Sequence, residues 1–174
     1  MDSLSSSPTT ASPQRCLFVT LGCAKNEVDT DRMRSLLIDA GYGVADDVDS
    51  ADVVLINTCS FLASATSESI DTTLDLADEV SAGVRKKPIV MCGCVPSRYG
   101  DDLDEQLPEV AAFVKADEED GIVAVVDSVL GNAGREGRAD LTGTHRTIEG
   151  TSAFVKIIEG CDRFCAFCAI PLIT

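Results

Sequence analysis

Residues 161–168 read Cys-Asp-Arg-Phe-Cys-Ala-Phe-Cys, which sets Cys161, Cys165 and Cys168 in a C-x3-C-x2-C spacing. Three thiolates on one short loop suit three irons of a cubane cluster and leave the fourth iron without a protein ligand. An open iron of this kind chelates the amino and carboxylate groups of S-adenosylmethionine and passes it an electron, so the spacing points to radical chemistry. Structural zinc is the competing reading. It calls for four closed ligands, usually as two CxxC-like pairs, whereas the local set is three and the only histidine, His145, lies sixteen residues upstream. Disulfides fit less well. No apolar signal-peptide core precedes the domain, so the thiols are expected in a reducing cytoplasm.

A second set of cysteines is dispersed. Cys23, Cys59 and Cys94 each follow a short apolar run that reads as a strand, and each is flanked by turn residues: Gly22, Asn57 and Gly93. In an open parallel sheet the carboxyl ends of the strands share one edge, where such folds bind ligands. Three cysteines far apart in sequence are thereby expected to converge, although any one alone is more often a small buried hydrophobe. Cys92 complicates the choice. On an extended strand it points to the same face as Cys94, as a core residue or a substitute ligand; Cys94, nearer the loop, is the assigned member. Cys16 stands at a strand start, on the opposite edge, and reads as core.

The elements that must position these residues alternate in period. Cys16–Leu21 is a β-prone run and Gly22–Asn26 the turn after it, with Asn26 expected to cap a helix and Asp29 at its third position. Met33, Leu36, Leu37 and Ala40 form one apolar helical face, ended by Gly41. Further strands are expected over Val53–Ile56, Pro88–Met91 and Ala112–Val114. Helices are expected over Ala65–Val80, Arg98–Leu107 and Ile122–Leu130. This alternation predicts an α/β domain over 16–130, an open and mostly parallel sheet with flanking helices. Residues 1–15, rich in Ser, Thr and Pro, read as a disordered tail, 131–150 as a Gly-rich polar linker, and Ser152–Ile158 as a new strand running into the Cys161 loop.

Composition narrows the function classes. With 45% hydrophobic and 25% charged residues among 174, the chain is of globular type, and its apolar runs are too short to span a bilayer. A net charge of −15 repels phosphates and argues against a nucleic-acid-binding face, while suiting a basic partner.

Gly22-Cys23-Ala24-Lys25-Asn26 with Asp29, Asn57-Thr58-Cys59, Gly93-Cys94, and Glu159-Gly160-Cys161 through Pro171 together resemble the radical S-adenosylmethionine methylthiotransferases. Within that family, Val28-Asp29, Ser60-Phe61 and Glu68-Ser69 are most similar to the RimO-type enzymes, which modify an aspartate of the twelfth small-subunit ribosomal protein. The resemblance implies that Cys23, Cys59 and Cys94 hold an auxiliary 4Fe–4S cluster. It implies that Cys161, Cys165 and Cys168 hold the 4Fe–4S cluster that cleaves S-adenosylmethionine, with Phe167 packed near that cofactor or serving as an aromatic of the loop core. It further implies a basic ribosomal protein as substrate, an electron donor such as flavodoxin or ferredoxin, and a cytoplasmic setting.

The family continues past the cysteine loop into a barrel, which needs on the order of 200 residues. Residues 151–174 are therefore expected to be the start of a truncated barrel domain, and the chain as given to be inactive alone. Two other functions compete: a transfer-RNA methylthiotransferase of the same chemistry, and a non-catalytic iron–sulfur or zinc-binding module.

Overall fold

The computed structural model describes residues 12–132, 151–158, 160–163 and 165–173. Most of the expected tail and of the expected linker lies outside them. Five strands, β1 (Arg15–Thr20), β2 (Gly43–Val44), β3 (Val53–Thr58), β4 (Ile89–Gly93) and β5 (Ala112–Lys115), form one sheet in the order β2-β1-β3-β4-β5. Every pairing is parallel. The α/β expectation is met.

The central strand shows why the sheet closes. All six residues of β3 are buried, as expected when helices cover both faces of a parallel sheet. Strand alternation divides its apolar side chains. Val53 and Leu55 join the core under α1 (Ala24–Asp39) and α5 (Ile122–Leu130), with Met33, Leu37, Ile122 and Val126. Val54 and Ile56 join the opposite core under α2 (Ala63–Ala82), α3 (Cys94–Tyr99) and α4 (Leu103–Gln106), with Ala77, Val80, Met91 and Val95. Each such side chain contributes roughly 1.5–3 kcal/mol by leaving water.

Four local expectations are corrected. The helix after β1 starts two residues before Asn26: Cys23 is its N-cap, Asn26 its third residue, and Asp29 lies further along the helix. Asn26 still serves that end, accepting the Cys23 backbone N–H at 3.4 Å. The helix expected over Arg98–Leu107 is instead α3, starting at Cys94, then a 3₁₀ turn over Gly100–Asp102, then α4. Gly100, at φ +63, makes the break, a conformation that glycine adopts without steric cost. The sheet has an extra edge strand, β2, too short to show alternation. Ser152–Ile158 forms no strand, only an isolated bridge at Ser152. A strand is defined by a run of hydrogen-bonded neighbours, and among the described residues the five-stranded sheet does not extend to this segment.

At its start the sheet extends to Arg15, and Gln14 is tied in as well. Its carbonyl accepts Gly43 N–H at 2.8 Å and its side chain accepts from Asn132 at 2.7 Å. No helix among the described residues is long and apolar enough to cross a membrane.

Candidate metal centre

The strand order fixes where a site can form. From β1 the chain crosses through α1 to β2 on one side, and β3 then lies on the other side of β1. The order reverses between β1 and β3, and the loops leaving their carboxyl ends diverge around a crevice. Cys23 is on the first loop, Cys59 directly follows β3, and Cys94 directly follows β4. All three line one cavity of about 850 Å³.

Backbone geometry brings them there. Gly22 has φ +105, and a Cβ on it would stand 2.3 Å from the Cys59 Cβ, so the Cys23 loop passes Cys59 only because residue 22 has no side chain. Cys59 is fixed by Ser69 of α2, whose hydroxyl accepts its N–H at 3.2 Å and donates to its carbonyl at 3.0 Å. Thr58 holds the third loop: its hydroxyl donates to the Cys92 carbonyl at 2.7 Å and accepts Val95 N–H at 3.3 Å. Behind the loops, the Asn26 amide donates to Asn57 Oδ1 at 2.9 Å and the Thr58 carbonyl at 3.0 Å, while the Asn57 amide donates to the Asn26 carbonyl at 3.0 Å. This buried network locks α1 to β3. Full satisfaction makes such a network rigid rather than costly.

Cys92 and Cys94 part company at Gly93. Its φ of +90 turns the chain, so Cys92 stays in the α1/α5 core with Val90, fully buried, while Cys94 begins α3 and faces the cavity. Burial pushes the Cys92 thiol far above its ordinary range. Burial also raises Cys94, helped by the neighbouring Cys59 and Cys23, but the Lys25 ammonium and the Ser60 backbone N–H oppose it. A thiol that feels two other thiols and a lysine sits among potential ligands. Cys16 is fully buried in the core.

Lys25 lines the same cavity and donates to Asp29 Oδ2 at 2.8 Å. Burial alone would lower the Lys25 pKa; the Asp29 bond and the charges of Asp29, Cys94 and Glu119 reverse that and raise it. Among the described residues, no three His, Cys, Asp or Glu side chains converge tightly enough for a single metal ion. What the three thiols share is the wall of one cavity. The flanking lysine suits the negative charge of three thiolates.

Cys161, Cys165 and Cys168 do not themselves line this cavity, but residues flanking them do. Gly160 and Ile170, on either side of Cys161–Cys168, both line the cavity. Cys161 and Cys165 are exposed, and Cys168 is half-buried with its N–H on the Cys165 carbonyl at 3.0 Å. Phe167 is 93% exposed, so it is not an aromatic of a loop core. Two residues that the sequence did not single out lie at the site. Lys156 donates to Asp29 Oδ1 at 2.6 Å, and Glu119 is buried with Oε1 unpartnered. Lys156 does carry a sequence signal, as the one charge inside the apolar run Ala153–Ile158; Glu119, between two other acids, carries none.

The family model described as "Uncharacterized protein family UPF0004" matches residues 15–115, which hold β1 through β5 and the three cysteines that line the cavity. The chain belongs to this family. It is similar to curated proteins named "Ribosomal protein uS12 methylthiotransferase RimO". The one from Synechococcus sp. (strain RCC307) is 41% identical over 97% of this chain and 35% of its own length. That from Natranaerobius thermophilus is 39% identical over 90% of this chain and 36% of its own. That from Bdellovibrio bacteriovorus is 38% identical over 94% of this chain and 37% of its own. The chain thus spans little more than a third of the length of the relatives it matches.

Proposed function

We propose that this chain is the cysteine-bearing N-terminal part of a methylthiotransferase acting on an aspartate of ribosomal protein uS12. On this reading 16–130 is one α/β domain and 151–174 begins a second. Cys23, Cys59 and Cys94 hold an auxiliary 4Fe–4S cluster, and Cys161, Cys165 and Cys168 hold a second one that binds S-adenosylmethionine, with Phe167 beside it. When bound, these groups supply the hydrogen abstraction and sulfur delivery that no side chain can perform. The chain's own residues grip, orient and compensate charge. Gly22 and Gly93 give the thiols room to converge, Ser69 and Thr58 fix their backbones, and Lys25 brings a positive charge toward Cys94.

The observation that carries this reading is the convergence of three strand-end cysteines on one cavity, which Gly160 and Ile170, on either side of the second cysteine set, also line. The uS12 names of the relatives favour a ribosomal-protein substrate over transfer RNA. The net charge of −15 suits a basic ribosomal protein. The reading implies a cytoplasmic protein served by an electron donor such as flavodoxin or ferredoxin.

The test is anaerobic reconstitution followed by iron, sulfide and zinc analysis. Near-equal iron and sulfide are expected. Cys94→Ala should remove the auxiliary cluster's absorbance, whereas Cys16→Ala and Cys92→Ala should leave it. Zinc without sulfide would replace this reading by a zinc-binding module.

A further inference from the structure

Within residues 151–158, Phe154 to Ile158 line the cavity while the segment stays largely exposed. Phe154, Val155, Ile157 and Ile158 expose between 59% and 90% of their surface, and Lys156 is the one residue of the eight that is not exposed. Its side chain is 19% exposed, and its ammonium meets Asp29, whose side chain is 1% exposed, at 2.6 Å. Asp29 holds Lys25 with its other oxygen at 2.8 Å, so the two cations do not compete for one acceptor.

A buried carboxylate must be paired, because desolvation of a lone charge costs several kcal/mol. Lys25, one turn away on the same helix, meets that need. Lys156 comes from 127 residues further along the chain. Helix stability does not require it, so its bond must do something else. Lys25 lies two residues after Cys23, and Lys156 lies five residues before Cys161. One carboxylate therefore joins a residue just after Cys23 to a residue just before Cys161, and both lysines line the cavity.

We propose that Asp29 is a positioning residue that, through Lys156, docks segment 152–158 and the Cys161 loop behind it onto the cavity of Cys23, Cys59 and Cys94. The docking stands on the geometry alone. Its consequence, that the buried carboxylate sets the placement of one cluster relative to the other, rests on the function proposed above.

The test uses the full chain, metal-free and reduced, so it does not depend on whether clusters form. Chymotrypsin cleavage after Phe154 reports undocking, since a protease must draw several residues out of contact. Rates are normalised to the same substitution in an isolated 150–160 peptide, which removes the effect on the cleavage sequence itself. Lys156→Gln is expected to speed cleavage by about tenfold or more, the scale of a lost charge-assisted hydrogen bond. Lys156→Arg should stay near the parent rate. Asp29→Asn should match Lys156→Gln, and the double variant should be no faster than either single one. An unchanged rate in Lys156→Gln, or a double variant whose effects multiply, would overturn the proposal. If Asp29→Asn fails to fold, the contrast between Lys156→Gln and Lys156→Arg decides alone, because Lys156 lies outside the sheet. Failure here would leave the iron and sulfide result untouched, and a zinc result there would leave the docking untouched.

Discussion

Two buried carboxylates lie beside the cavity, and they meet burial in opposite ways. Asp29 takes an ammonium on each oxygen. Glu119 leaves Oε1 unpartnered, and burial together with the nearby Asp29 charge pushes its pKa to about 8, against the pull of Lys25, Lys156 and Arg32. It keeps its proton at neutral pH. In the unfolded chain it titrates near its ordinary 4.5. The folded state then holds a proton that the unfolded state has released, so stability falls as pH rises between these values. The contribution is complete below about 4.5 and is lost as pH passes about 8. The urea midpoint should accordingly drop between pH 6 and pH 9, counted as roughly the upper half of that window and beyond. In Glu119→Gln the drop should be much smaller; an identical pH profile would remove Glu119 as its cause.

At the scale of elements, the turn from β4 into α3 decides which cysteine faces the site. Gly93 is required twice over. Its φ is +90, and a Cβ there would fall 2.3 Å from Asn57 Oδ1 and 2.9 Å from the Thr58 carbonyl. Both atoms belong to the network that fastens α1 to β3, so neither can move without breaking a buried hydrogen bond. Gly93→Ala is expected to cost roughly 2–4 kcal/mol, combining backbone strain with the clash. Gly121→Ala, where nothing lies within 4 Å of the new Cβ, is the control; it should change stability by no more than about 0.5–1 kcal/mol. Urea denaturation of both variants measures the difference, and equal midpoints would show that the turn is adaptable.

Over the whole molecule, the two cysteine sets differ in how firmly they are held. Cys59 and Cys94 are buried between packed helices and a parallel sheet, with Cys23 of the same set exposed, whereas of the second set Cys161 and Cys165 are exposed, Cys168 is half-buried and Phe167 is exposed around a segment pinned at Lys156. Catalytic groups must be held to within a fraction of an ångström by a surrounding shell. The described residues supply that shell to Cys59 and Cys94. The reconstituted chain, given S-adenosylmethionine and dithionite, is therefore expected to show no sustained release of 5′-deoxyadenosine and no methylthiolation of uS12. Sustained turnover would mean that the α/β domain and this loop are sufficient. The exposed apolar side chains Phe61, Leu62, Phe154, Val155, Ile157 and Ile158 all line the cavity.

The sequence by itself determined what depends on near neighbours. The short continuous apolar run Val53–Ile56 and the longer, mostly apolar run Ile122–Leu130 located β3 and α5, because a strand buried on both faces is apolar throughout and run length separates it from a helix. The place of cysteines after strands foretold a shared edge, because parallel strands end together. Tertiary structure alone decided what depends on distant contacts. It paired the two residues of β2 with β1, turned Cys92 away from Cys94 at Gly93, and gave Ser152–Ile158 an isolated bridge in place of a strand. It also placed Lys156 on Asp29 across 127 residues. No periodicity records such a pair, because it exists only once packed elements have removed water from one carboxylate and brought two cations to it.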